Sequence, residues 1–175
     1  MKQIDYSKID KDKLRQLLWQ SLHDMAFLDI KRASDGKSKM GAFILASCFI
    51  EYLAGFRYGK ETTGQDYKKF VRDYMDYYSP EKLYKDLRCK LVHNYSEGGS
   101  YMFVDNRRDL HFKKAQDKKQ ILNLENFISD IEAALHTYII EFEEEEENGP
   151  MFKLAVDRLY KINILGINQT LILKD

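Results

Sequence analysis

The feature that most constrains the fold is an apolar segment from Lys39 to Tyr58. A helix that is apolar all round lies at the centre of a bundle or faces a partner subunit. The longest uninterrupted apolar stretch, residues 41–50, is about half of the roughly 20 residues that a membrane helix needs. The sequence therefore predicts a core helix, and we expect no association with a membrane. The apolar side chains that cover the circumference are Phe43, Ile44, Leu45, Cys48, Phe49, Ile50, Tyr52, Leu53 and Phe56.

Five other segments are predicted to be helical, most of them from apolar residues at i, i+3 and i+4. One of them covers residues 80–94 and begins at Ser79-Pro80-Glu81. Serine caps a helix, proline is tolerated in the first turn, and a carboxylate suits the positive end of the helix dipole. The predicted fold class is mainly α, a helical bundle of about five to six helices. The other four segments are residues 10–32, 65–78, 123–147 and 151–161.

Two segments have the composition of β-structure. Residues 100–113 place Tyr101-Met102-Phe103-Val104 and Leu110-His111-Phe112 on either side of a polar turn, which predicts a short β-hairpin. Residues 162–173 are apolar and β-branched, which indicates a β tail. We assign the bundle with its hairpin to residues 1–147. Residues 148–175 are predicted to form a C-terminal helix and tail packed on the same domain.

Charge and cysteine content narrow the function classes. The chain has 28 basic and 28 acidic residues, so any contact with nucleic acid must come from local clustering of lysine and arginine. Cys48 and Cys89 lack the spacing of a metal or disulfide motif, and we expect neither a metal nor another cofactor. Two free thiols and an N-terminus without an apolar signal segment predict a cytoplasmic protein.

The predicted helix over residues 80–94 has two distinct faces at 100° per residue. Its apolar stripe consists of Leu83, Tyr84, Leu87 and Leu91. The opposite face fits either an ordinary exposed surface or a surface that packs on a second copy of itself. A two-fold contact would bring two arginines and two histidines into one groove. The residues of this opposite face are Lys82, Lys85, Arg88, Cys89, Val92 and His93.

Such a groove suits metal-independent cleavage of RNA. A histidine near neutral pH can take a proton from a 2′-hydroxyl and return one to the leaving oxygen. An arginine binds a phosphate with its planar fork and stabilises the charge of the transition state. Lys85 and Lys90 would contact neighbouring phosphates, and Asn94 and Tyr95 would flank the site.

Arg88-x4-His93 at the end of a helix resembles the motif of the HEPN superfamily. Residues 87–95, LRCKLVHNY, also resemble the Arg-x4-His-x-Tyr form of the branch encoded beside minimal nucleotidyltransferases. By helix order the resemblance covers about residues 10–147. It implies a metal-independent endoribonuclease of toxin–antitoxin or phage-defence systems, active as a homodimer with Arg88 and His93 in the shared cleft. In that branch the tyrosine, here Tyr95, is a candidate target for nucleotide addition by an antitoxin.

Cys89 departs from the pattern of this family. Active members often carry a polar residue directly after the arginine, whereas a thiol is a weak donor and acceptor. This departure favours a second hypothesis, a non-catalytic HEPN-like module. In that case Arg88 and His93 would serve a dimer interface or bind a nucleotide.

Glu51 interrupts the most apolar helix, and a buried carboxylate needs a partner. It either pairs with Arg88 and orients it, or lies at the surface beside Arg57. Arg107 and Arg108 lie in the predicted hairpin turn, either solvated or reaching over the cleft to RNA. The histidines without a motif are expected to be structural or exposed, and they are His23, His111 and His136.

Overall fold

The computed structural model describes residues 5–59, 62–95 and 99–161. Within them the protein is mainly α-helical, with six helices and a small two-stranded sheet, which confirms the predicted fold class. The helices are α1 (residues 11–35), α2 (Lys39–Tyr58), α3 (Gly64–Tyr74), α4 (residues 80–94), α5 (Leu124–Glu144) and α6 (Pro150–Lys161). The strands are β1 (Tyr101–Val104) and β2 (Gln120–Asn123).

Polar side chains fix where the helices begin. Asp10 accepts a hydrogen bond from the backbone N–H of Lys13 at 2.9 Å and caps α1. Asn123 caps α5 in the same way, and the predicted Ser79 cap opens α4. A side-chain cap satisfies a backbone donor that has no partner within the helix. The starts of these helices are therefore encoded locally, which is why the sequence predicts them well.

α2 lies at the centre of the bundle and packs against each of the other five helices. Ten of its residues are buried, among them Phe43, Ile50 and Leu53. By length and composition α2 could also cross a membrane, but 56% of its most apolar window is buried inside the bundle. The prediction of a core helix is confirmed.

One side of α2 remains uncovered. Leu45 is 40% exposed, and Cys48 and Tyr52 are only partly buried. These three residues, called the α2 strip below, line an open depression of about 390 Å³ between α1 and α2. The sequence predicted a helix covered by the bundle or by a partner subunit, whereas the bundle of this single chain covers most of the circumference and leaves this strip at the surface.

The predicted hairpin over residues 100–113 is wrong. β1 pairs in parallel with β2, with Tyr101 opposite Gln120 and Val104 opposite Asn123. Where the expected second strand, Leu110-His111-Phe112, should begin, the chain forms a 3-10 turn over Arg108–Leu110. It is followed by Phe112 in a left-handed conformation, with φ 62°. The N–H of Phe112 still donates to the carbonyl of Ile121 at 2.8 Å, but this segment forms only an isolated antiparallel bridge, between Lys114 and Gln120, and no second strand of a hairpin.

The C-terminal helix α6 packs on α2. At the point of contact Gly55 leaves room for the guanidinium of Arg158, whose central carbon would lie 2.8 Å from a Cβ at that position. The predicted β tail over residues 162–173 lies outside the described residues.

Replacement of Phe43 by alanine should lower the free energy of unfolding by about 3–5 kcal/mol, because a large buried ring leaves a cavity. Phe43 is fully buried, and its ring centroid lies 4.7 Å from that of Phe103. Ile140→Ala is the control, since Ile140 is 53% exposed, and it should change the free energy by less than about 1 kcal/mol. Urea denaturation measures both; equal losses would contradict the central position of α2.

Candidate functional site

The candidate site is built on α4, which is anchored to the core by the predicted apolar stripe. Leu83, Leu87 and Leu91 are fully buried. Between Leu83 and Leu91 the helix has wider, π-type turns, a feature that is frequent at functional sites. In a regular α-helix two residues five positions apart point about 140° away from each other. The wider turns include Arg88 and end at Leu91, before His93.

Glu51 and Arg88 form an ion pair between α2 and α4. The Nε of Arg88 donates to a carboxylate oxygen of Glu51 at 2.5 Å, and the two side chains are 20% and 28% exposed. Burial opposes the charge of Arg88, but the hydrogen bond and charge of Glu51 outweigh it and raise the pKa of the guanidinium. Of the two positions predicted for Glu51, the one beside Arg88 is confirmed.

The alternative partner of Glu51, Arg57, is engaged elsewhere. Its Nε donates to the hydroxyl of Tyr74 at 2.7 Å and lies 3.5 Å from a carboxylate oxygen of Glu141. In the described part of the chain Glu51 is the only hydrogen-bond partner of Arg88. Because Glu51 accepts its hydrogen bond from the Nε, the N–H groups of both terminal amino groups can donate to another acceptor.

Two partly exposed thiols flank this ion pair. Cys89 follows Arg88 directly, and Cys48 precedes Glu51 by one turn of α2. Burial raises the pKa of the Cys48 thiol, and the positive charge of Arg88 only partly offsets this effect. Cys48 is therefore a neutral thiol at physiological pH, a small and weakly polar neighbour of the guanidinium.

The remaining motif residues lie at the exposed end of α4. His93, Asn94 and Tyr95 are all exposed, Tyr95 by 66%. Tyr95 ends the helix in a left-handed conformation, with φ 50°, and its N–H donates to the carbonyl of Leu91 at 2.9 Å. No contact joins His93 to Arg88 within the described ranges. In the single chain they are therefore two separate groups.

Lys85 and Lys90 have different surroundings. Lys85 is exposed and has no ion-pair partner among the described residues. Lys90 lies 3.0 Å from a carboxylate oxygen of Asp86, so part of its charge is already compensated. Lys85 is the better placed of the two to contact a phosphate.

Asp86 is a structural residue of this region that the sequence analysis missed. It is 4% exposed and accepts a hydrogen bond from the backbone N–H of Ser100 at 2.9 Å. Gly99 has φ 62°, and a Cβ there would collide with the Asp86 carboxylate. One feature of the sequence did indicate that Asp86 is buried. It lies three residues after Leu83, which places it beside the apolar stripe of α4.

The other histidines and the arginines of the predicted hairpin turn occupy separate positions. His111 accepts from the backbone N–H of Asn123 at 3.1 Å, and His23 and His136 each stack on Trp19. Arg107 pairs with Asp109 at 3.1 Å. None of these side chains contacts the motif within residues 5–59, 62–95 and 99–161. In the same ranges no three His, Cys, Asp or Glu side chains are grouped so that they could hold a metal ion.

No protein-family model, curated protein or solved structure matches this chain. The resemblance to the HEPN superfamily therefore rests on the motif residues and on the order of the helices.

We expect Asp86 to stabilise the fold in a pH-dependent way. Burial raises its pKa, but the hydrogen bond from Ser100 and the charge of Lys90 outweigh burial, and the net pKa is lowered. A lowered folded-state pKa contributes stability above the unfolded value of about 3.9, and this contribution is lost as the pH falls through the folded value.

Asp86→Ala should cost about 1–3 kcal/mol at pH 7, because it also leaves the Ser100 N–H unpaired. Asp86→Asn, which keeps an acceptor, should cost less. The difference between wild type and Asp86→Asn should shrink as the pH falls from about 5 to 3. Chemical denaturation across this range measures it, and a constant difference would contradict the argument.

Proposed function

We propose that this protein is a metal-independent endoribonuclease of the HEPN type. The observation that carries the proposal is the Glu51–Arg88 pair, which holds the guanidinium by its Nε and leaves its terminal amino groups available. A guanidinium held in this way can offer a two-pronged contact to a phosphate. The exposed imidazole of His93 lies further along the same helix.

The reaction would proceed by internal attack of RNA on its own backbone. A neutral His93 takes the proton of a 2′-hydroxyl, and the 2′-oxygen forms a bond to the adjacent phosphorus. Arg88 stabilises the negative charge that develops on the phosphoryl oxygens. The bond to the 5′-oxygen breaks, and this oxygen takes a proton from a protonated histidine. The products are a 2′,3′-cyclic phosphate and a 5′-hydroxyl.

A homodimer would supply both histidines of this scheme. One His93 would act as the base, and the His93 of a second copy would act as the acid. The proposed contact involves the exposed side of α4 together with the α2 strip. The exposed Leu45 and the partly exposed Val92 and Cys89 give this surface the apolar content of an interface.

A toxin or phage-defence role in the cytoplasm belongs to the same proposal. The 66% exposed side chain of Tyr95 would be accessible to a nucleotidyltransferase-type antitoxin. A nucleotide added there would introduce negative charge two residues from His93. It would repel RNA phosphates and silence the nuclease.

The second candidate is a non-catalytic dimeric or nucleotide-binding module. Cys89 favours it, since a partly buried thiol beside Arg88 is a weak hydrogen-bonding group. The Glu51–Arg88 pair would then serve mainly to join α2 to α4.

We expect the purified protein to cut single-stranded RNA with EDTA present. His93→Ala and Arg88→Ala should each lower the rate by about 10²–10⁴-fold, the usual contribution of a general acid or base and of a charge stabiliser. His136→Ala is the matched control, an exposed histidine on α5 that should leave the rate unchanged. Cleavage that is absent, or equal in wild type and His93→Ala, would contradict the proposal and favour the non-catalytic module.

Glu51 should act as a positioning residue. Glu51→Ala should lower the turnover rate by roughly 10–100-fold, because a misplaced guanidinium stabilises the transition state poorly. Glu51→Gln, which still accepts a hydrogen bond from Nε, should retain more activity. In an Arg88→Ala background the substitution of Glu51 should have no further effect on the rate. Losses that multiply in the double variant would show that Glu51 acts independently of Arg88.

A further inference from the structure

An open depression of about 460 Å³ lies between the first turn of α4 and the segment that precedes β2. Four of the side chains that line it are lysines. We call this depression the lysine pocket, defined by Lys82, Lys114, Lys118 and Lys119.

Most of the positive charge in the lysine pocket is uncompensated. Asp117 is the one carboxylate that lines it, and it pairs with Lys119 at 2.9 Å. Lys82, Lys114 and Lys118 have no ion-pair partner in the part of the chain that the structure describes. The whole chain has 28 basic and 28 acidic residues. Three unpaired cations around one depression are therefore a local concentration of charge that favours an anion.

The backbone that carries Lys114, Lys118 and Lys119 is held by a regular set of hydrogen bonds. The N–H of Ala115 donates to the carbonyl of Lys119 at 2.8 Å, and the N–H of Lys118 donates to the carbonyl of Ala115 at 2.9 Å. On the other side the N–H of Ile121 donates to the carbonyl of Lys113 at 2.8 Å. The lysines consequently sit on a closed turn, which keeps their positive charges around the pocket.

Phe112 adds an aromatic ring to the pocket wall. It is only partly buried, and its ring centroid lies 3.9 Å from that of His111 and 4.9 Å from that of Tyr78. Its φ of 62° is an uncommon backbone conformation for a bulky residue. An aromatic ring among lysines is the combination that binds single-stranded nucleic acid, since bases stack while cations contact the phosphates. An acidic peptide would use the lysines but has no need of the ring.

The lysine pocket is linked to the candidate active site through α4. Its wall at Gly99 and Ser100 is held by the Asp86 carboxylate, two residues before Arg88. Lys82 precedes Arg88 by six residues on the same helix. The exposed Lys85 lies between them. One RNA strand could therefore contact both regions.

We propose that the lysine pocket binds the phosphate backbone of single-stranded RNA, with one base stacked on Phe112, next to the bond that is cleaved. This inference rests on the proposed function for the position of the cleaved bond. The binding itself can be measured without cleavage.

The test measures binding of a fluorescent single-stranded RNA to Arg88→Ala/His93→Ala protein at several salt concentrations. Lys114→Ala/Lys118→Ala in this background should remove two phosphate contacts. The slope of log K against log salt should then become shallower by about 1.4, and affinity at about 0.1 M salt should fall about 25-fold. Phe112→Leu should weaken binding about tenfold and leave the slope unchanged.

The matched control is Lys8→Ala/Lys153→Ala, which removes two exposed lysines outside the pocket and should leave slope and affinity unchanged. Equal losses in the control and pocket variants would overturn the proposal, as would an absence of RNA binding. Polyglutamate that competes with RNA as strongly as unlabelled RNA would assign the pocket to acidic protein partners instead. If the parent chain does not cut RNA but the pocket variants lose RNA binding as expected, the nuclease proposal fails and the pocket proposal stands.

Discussion

The burial of α2 is the constraint on which the rest of the structure depends. A central helix that contacts all five others buries its apolar side chains on most of its circumference. A charged residue on such a helix needs a partner from a neighbouring element, because an unpaired carboxylate is costly to desolvate. Glu51 finds that partner in Arg88 of α4. The position of the guanidinium is therefore set by the core of the bundle and does not depend on the exposed end of α4.

Local signals in the sequence predicted the helices well. Apolar periodicity and the side-chain caps act within a few residues, so the bounds of α2 and α4 and the burial of Leu83, Leu87 and Leu91 could be inferred. The end of α1 was predicted at residue 32, whereas the helix continues to residue 35. The site was predicted in part. The contact between Glu51 and Arg88 was anticipated as one of two alternatives, and the functional roles of the motif residues stay predictions.

The features that were missed depend on contacts between distant parts of the chain. The parallel pairing of β1 with β2 joins segments separated by fifteen residues, and hairpin patterns carry no information about such a connection. The buried carboxylate of Asp86 accepts a hydrogen bond from the backbone N–H of Ser100, which lies fourteen residues later in the chain. The lysine pocket brings Lys82 of α4 beside lysines that follow β1. In each case the two contacting segments lie too far apart in the sequence for apolar periodicity to indicate the contact.

The wider turns of α4 have a consequence for the spacing of the motif. A π-type turn is equivalent to one residue inserted into an α-helix without any change in the helices that flank it. Residues five apart across such a turn approach the relation that residues four apart have in regular α-helix. In this chain the π-type turns cover Leu83–Leu91, so Arg88 lies within them and His93 lies beyond them. With one residue fewer between them in a regular α-helix, Arg88 and His93 would stand four positions apart, about 40° around the helix axis, and would share a face.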